Sequence, residues 1–444
     1  MKYQKILSAV ILSTAIMIPF GIEAKKKIQK PAAPAKTVSW EKTNKQMRAE
    51  LAATPEKSGG IFYAYPYLNT PDSMAAVPAG FEPVYISHYG RHGSRWHTNK
   101  EIYNGSYNTL LKQQKEGNLT PLGEEVLKLV EICKENAMGH EGELTGLGSR
   151  QHKAIANRMY RRFPTLFKSG DTIMARCSLE PRCIISMSAF SEALKENDPK
   201  LVVDRHSTPS DQSFIRYHSP EAKKLNAGPE PWKSAYQHVC DSLYECKATA
   251  AKLFKDPSKV KKLPDFMYRL HNIAIVNQNI DNLNVDLLPY FDKEDIYNLW
   301  KGQDHKLYFR HGKCIDSEGK GPESSRSLLK DILDRADEGL AGKRTAVDLR
   351  FGHDVYLLRL LALMDVKGAN ASTRGVDNSS RVWQSQNLTP MAANLQIIFF
   401  RNNSGETIAT IRLNERPVEL DGLREYAPGY YSWPALREFL TKKL

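Results

Sequence analysis

A short apolar run, Val84-Tyr85-Ile86, empties directly into Ser87-His88-Tyr89-Gly90-Arg91-His92-Gly93-Ser94-Arg95. No other stretch restricts the fold as strongly. An extended segment must end here in a turn that carries two arginines and a histidine. Glycines at 90 and 93 permit the sharp bend and the close approach to a ligand that such a turn needs. Two guanidiniums around one imidazole are poor core material. They suit an oxyanion, because Arg pairs bidentately with phosphate oxygens and keeps its charge. A histidine beside a bound phosphorus can act as nucleophile. Taken alone, the nonapeptide reads equally as an exposed basic turn.

The remainder of the chain repeats the strand-turn-helix pattern. Residues 61–65 are apolar and aromatic and read as a strand or an extended docking segment. Asn99 to Lys115 is helical in texture, and Thr120 caps a clearer helix that opens on Pro121. Leu147, Ile155, Met159 and Phe163 recur at multiples of four in the next helix, where Arg158, Arg161 and Arg162 read as a solvated face. Thr172 to Arg176 is a strand, and Pro181 starts another helix. The alternation predicts an α/β fold. From about 200 to 335 strand-like runs give way to helical pattern, over Trp232–Phe254, Asp265–Asn277, Asp292–Trp300 and Ser325–Leu340. The strand at 345–351 then runs through Gly352 into His353-Asp354 and an apolar helix, and a hairpin turns at Asn402-Asn403-Ser404-Gly405. The expected division is a signal peptide over 1–24, a linker and N-terminal segment over 25–58, an α/β core from 59–200 and 336–444, and a helical insertion or cap over 201–335.

The signal peptide rests on Lys2 and Lys5 ahead of the apolar run Ile6 to Phe20 and on Ala24 at the cut. It predicts a periplasmic or secreted protein without a stable membrane span. Export makes disulfides possible among Cys133, Cys177, Cys183, Cys240, Cys246 and Cys314, with reduced buried thiols as the alternative. A net charge of +13 on 444 residues suits an acidic partner of some kind. Nucleic acid is disfavoured, since no stacking-aromatic or groove-helix motif accompanies the charge.

Three strand ends thus carry reactive side chains: Arg91, His92 and Arg95; Arg176; and His353 with Asp354. Ligands of open α/β sheets bind at such carboxyl ends. The ordered set resembles the histidine acid phosphatase branch of the histidine phosphatases, which includes phytases and multiple inositol polyphosphate phosphatases. Leu144 to Gly148 with Gln151, the pair Arg182 and Ser186, Asp348 to His353, and Pro390 to Leu395 match it as well. The resemblance covers roughly residues 59–420 and implies a three-layer α/β/α, phosphoglycerate-mutase-like core. It implies His92 as the nucleophile, Asp354 as the proton donor to the leaving oxygen, and Arg91, Arg95, Arg176 and His353 as the phosphate-binding residues. No cofactor or metal is expected, because the arginines already supply positive charge. The expected partner is a phosphorylated small molecule, and the expected state is a monomer.

The chain also departs from the family. His97 stands where many relatives have proline. Asp354-Val355 stands where inositol polyphosphate phosphatases usually carry Ala-Glu. A phytate-like substrate is expected, with a broad acid or sugar phosphatase, or a non-catalytic anion-binding protein, as competing readings. His88 reads as a pocket-lining or a packed residue. Arg182 and Ser186 read as supporting or plain helix positions. Arg310-His311-Gly312 repeats the motif tripeptide without its second arginine and reads as a helix end.

Overall fold

The computed structural model describes residues 40–70, 74–168, 172–218, 220, 223, 239–343 and 345–444. The expected signal peptide, the linker up to residue 39 and residues 232–238 of one expected helix lie outside them.

Side chains alternate across a strand, so each strand offers one row of residues to either face of its sheet. The first strand shows both rows: Tyr85 and Tyr89 enter one hydrophobic cluster, and Ile86 enters another. The strands are β1 (Phe81–Arg91), β2 (Thr172–Cys177), β3 (Val202–His206), β4 (Val347–Gly352), β5 (Asn394–Asn402), β6 (Thr407–Leu413), β7 (Arg416–Pro417) and β8 (Tyr431–Ser432). They form one sheet in the order β3-β2-β4-β1-β5-β6-β7, with β8 pairing β6. The first four are mutually parallel and β5 and β6 are antiparallel. Parallel neighbours need crossovers, and helices supply them.

On one face Ile86, Leu349 and Phe351 pack with Ile155 and Met159 of the helix Gly146–Arg162 and with Met187 and Phe190 of the helix Pro181–Asn197. On the other, Tyr85, Tyr89 and Phe399 pack with Leu329 and Ile332 of the helix Arg326–Leu340 and with Leu357 and Leu361 of the helix Asp354–Leu363. The core is therefore three-layered, α/β/α, as the resemblance implies. The hairpin turns as expected, with Gly405 at a φ of 85°.

A separate cluster joins Ile102, Leu110, Val126 and Val130 to Leu253, Phe266, Leu270 and Leu299. The helices Glu101–Lys115 and Pro121–Ala137 thus pack with helices from residues 247–311. No helix among the described residues is long and apolar enough to cross a membrane.

Several expectations change. Val202–His206 is a parallel edge strand where helical texture was expected to begin. The helix Arg326–Leu340, expected within the insertion, covers the sheet instead. Of the two readings of the apolar 61–65 segment, the strand is not formed: a 3-10 stretch over Pro55–Phe62 takes in its first two residues, and the carbonyl of Ile61 accepts from Arg91. Arg158 leaves the expected solvated face and forks onto Glu415 at 2.8 and 2.6 Å. All six cysteines are buried free thiols.

Candidate active site

Parallel pairing of β1 with β4 sets Arg91 opposite Gly352. The next residue on each strand is a histidine, so His92 and His353 leave the sheet side by side, with ring centroids 5.7 Å apart. Glycine is required at Gly352 because a Cβ there would lie 2.1 Å from the Tyr89 hydroxyl. That hydroxyl accepts from His353 N at 3.2 Å and so fixes the second histidine. The turn after β1 is pressed onto the helix Gly146–Arg162, where a Cβ at Gly93 would meet the Gly148 carbonyl oxygen at 2.5 Å. Ser94 N donates to Gln151 at 2.9 Å, and Gly93 N donates to Ser186 Oγ at 3.1 Å. The Pro390-to-Leu395 stretch backs the same turn: Ala393 O accepts from Arg91 N at 2.7 Å, and Ala392 N donates to His92 O at 3.0 Å.

His92 is almost fully buried. Its Nδ1 lies 2.9 Å from the Gly93 carbonyl, which can only accept, so Nδ1 carries the proton. The lone pair is then on Nε2. Burial, followed by the charges of Arg91 and Arg95, holds the imidazole well below its ordinary pKa. His92 is therefore a neutral base with one free nitrogen. Arg91, buried completely, donates to the carbonyls of Ile61 and Thr389 and pairs with Asp354 Oδ2 at 2.6 Å. Burial works to raise the pKa of Asp354, but Arg91 and Arg95 outweigh it and hold the carboxyl below the usual range. Asp354 also stands in the first turn of its helix, where the dipole favours the anion. Arg95 lies over the Phe62 ring at 5.1 Å, and His97 stacks on that ring at 5.3 Å. The departure at position 97 therefore builds a wall of Phe62 against Arg95. His353 Nε2 meets Ser178 Oγ at 3.0 Å, and burial, then Arg182, lowers its pKa to about 3.

The structure brings Arg91, His92, Arg95, His353 and Asp354 together. It does not bring Arg176 to them. On β2 the neighbours of Arg176 face the helices Gly146–Arg162 and Pro181–Asn197, so its own side chain turns to the opposite layer. There it bonds to Asp331 at 3.2 and 3.4 Å and lies over Phe214. Asp331 also holds Arg350 at 2.7 Å, which makes a structural ion network. The third arginine at the site is Arg182. After burial, its charge is among the causes that depress His92, His353, Arg91 and Arg95. It sits in the first turn of its helix, four residues before Ser186, which touches Gly93. That spacing was the available signal, since residues four apart share a helix face. His88 is a packed histidine against Phe190 and Phe351. Arg310-His311-Gly312 ends the helix Lys293–His311, as expected, and takes no part in this cluster.

The model of the histidine phosphatase superfamily (branch 2) matches residues 90–414. Multiple inositol polyphosphate phosphatase 1 of Gallus gallus is 24% identical to this chain over 381 residues, covering 78% of this chain and 79% of its own length. The Bifidobacterium longum multiple inositol polyphosphate phosphatase, solved in complex with inositol hexasulfate, superposes with a TM-score of 0.74 at 18% identity, over 87% of this chain and 97% of that one. A phytase from D. castellii reaches 0.68 at 13% identity, over 87% and 85%. At these identities the superpositions speak to the fold.

Proposed function

The chain belongs to the histidine phosphatase superfamily (branch 2) and is a phosphatase, and from that premise we propose that it cleaves phosphomonoesters of inositol polyphosphates through a phosphohistidine on His92. The observation that carries the mechanism is the tautomer of His92, with Nδ1–H held by Gly93 O and Nε2 free between cationic side chains. A phosphoryl group held by Arg91, Arg95, Arg182 and His353 presents its phosphorus to Nε2. The N–P bond forms as the ester O–P bond breaks, and Asp354 gives the leaving oxygen its proton. Water then attacks the phosphohistidine, the Asp354 carboxylate takes a proton from that water, and phosphate leaves with His92 restored. Fixed cations stabilise charge spread over the equatorial oxygens, and that is the main help phosphoryl transfer needs.

In the ligand-free site Asp354 is the ionised partner of Arg91. An arriving phosphate engages Arg91 and sets negative charge beside the carboxylate. Both effects raise its pKa, and a protonated acid follows. The inositol-polyphosphate substrate is supported by the named activity of the chicken relative and by the basic surroundings.

The test compares phosphate release from phytate and p-nitrophenyl phosphate, in chelator at pH ~4 to 7, where carboxylates and imidazoles titrate. His92→Ala is expected to abolish both. Asp354→Asn is expected to cost about 10²–10⁴-fold on phytate, whose alkoxide needs an acid, and much less on the nitrophenyl ester. Release from the small ester alone would leave a general phosphatase. Release by neither would remove the enzyme.

A further inference from the structure

Arg310 and His311 of the repeated Arg-His-Gly tripeptide, which lies outside the catalytic cluster, line a cavity of about 310 Å³. The cavity abuts the catalytic cluster through three residues. Val355 follows Asp354, Ile61 accepts from Arg91, and Phe62 lies under Arg95. Its other walls carry Lys306 and Arg310, one turn apart on the helix Lys293–His311, and Arg359 with His311 and His218.

Arg359 is fully buried and pairs with no carboxylate among the described residues. Its Nε donates to His311 Nδ1 at 3.0 Å and its Nη1 to His218 Nδ1 at 3.2 Å, while Nη2 has no partner. A guanidinium has no acceptor, so both imidazoles present lone pairs to it and carry their protons on Nε2. His218 Nε2–H then donates to the Tyr356 hydroxyl at 2.5 Å. Arg310 likewise pairs with no carboxylate among the described residues. Burial, then Arg310, lowers the pKa of Lys306. Among the described lining residues the acid is Asp304, which burial pushes up to about 7. For Arg359, a buried cation with no carboxylate partner among the described residues is costly, and a bound anion removes that cost.

We propose that this cavity is a second anion subsite, in which Arg310, backed by the buried Arg359 and its two histidines, receives a phosphate of the substrate other than the one being cleaved. The proposal rests on the inositol-polyphosphate reading above and assigns the residues that select for it. It needs a polyanion that spans both subsites, which a simple monoester cannot do.

The test is calorimetric binding of myo-inositol hexasulfate and of inorganic phosphate to the wild type, Arg310→Gln and Arg359→Met. Each substitution is expected to weaken the hexasulfate about tenfold or more, the scale of one charge-assisted hydrogen bond. Inorganic phosphate, which fits the catalytic cage alone, should shift by less than about twofold, well inside one such bond. Hexasulfate affinity unchanged by Arg310→Gln, or both ligands weakened alike, would overturn the subsite. Arg310 is only partly buried, unlike Arg359, so its variant carries the test even where Arg359→Met fails to fold. Binding is read without turnover. An inactive protein that obeys the binding pattern keeps the subsite and loses the catalytic reading, and phytate turnover with unaltered binding does the reverse.

Discussion

At the scale of single residues the site turns on two arginines six positions apart. Arg176 looks correct in the sequence, because it ends a strand and relatives need an arginine near that place. Strand parity sends it to the wrong layer, where Asp331 and Asp348 neutralise it at 3.2 and 3.7 Å. Among the described residues Arg182 pairs with Glu180 at 3.1 Å, and its Nε has no partner. The two should therefore separate in experiment. Arg182→Ala is expected to lower kcat/KM on p-nitrophenyl phosphate by about 10²–10³-fold, the cost of losing one fixed donor to the transition state. Its melting temperature should stay close to wild type. Arg176→Ala should leave kcat/KM nearly intact and cost about 1–3 kcal/mol of stability, because Asp331 keeps Arg350 and Arg335. Kinetics and thermal melts on the same preparations check both. The opposite pattern would return Arg176 to the phosphate cage.

At the scale of elements, what was legible followed periodicity, and what was hidden followed pairing. β1, β2 and β4 were readable as short, largely apolar runs, and the ends of β1 and β4 carried His92 and His353. β3 was not, because Val-Val-Asp-Arg-His lies at the sheet edge with Val202 exposed and shows no buried row. The helices Glu101–Lys115 and Pro121–Ala137 were legible as helices. An apolar face does not name the surface it meets, so their place among the later helices was not. The pressing of the turn onto the helix Gly146–Arg162 was visible only as two unexplained glycines. A Cβ at Gly148 would lie 2.4 Å from the Ser94 carbonyl oxygen, which is backbone and cannot swing away. Gly148→Ala should push the helix off the turn. About 1–3 kcal/mol of stability is expected to go, as for other overpacked contacts. Activity should fall with it, since Ser94 and Gly93 hold His92 through Gln151 and Ser186. Urea unfolding and kcat measured together test this, and an active, equally stable variant would show that the helix does not position the turn.

At the scale of the whole molecule, the buried histidines decide how the protein meets acid. Burial lowers His88, His152 and His271 to about 3, and His97 and His305 to about 4. In the unfolded chain each titrates near ~6.5. Between those limits the unfolded state binds protons that the fold excludes, so stability falls as pH falls. Asp354 works in the same direction: its carboxyl is held low in the fold, and its stabilisation is present above the unfolded pKa and lost as pH drops through the folded one. Each such histidine contributes a slope of about 1.4 kcal/mol per pH unit inside its window. His88 is the cleanest probe, because neither ring nitrogen has a partner and its neighbours are Phe190, Phe351, His152 and Arg350. Stability from urea unfolding should fall steadily from pH ~7 toward ~4, and His88→Phe should remove about one proton from that slope without orphaning a polar group. An unchanged slope would mean that the imidazole titrates freely inside the fold. Phosphoryl transfer to His92 needs Asp354 protonated, which acid favours, while the core needs its histidines neutral, which acid opposes. The lower pH limit of activity should therefore coincide with the onset of unfolding rather than with the titration of Asp354.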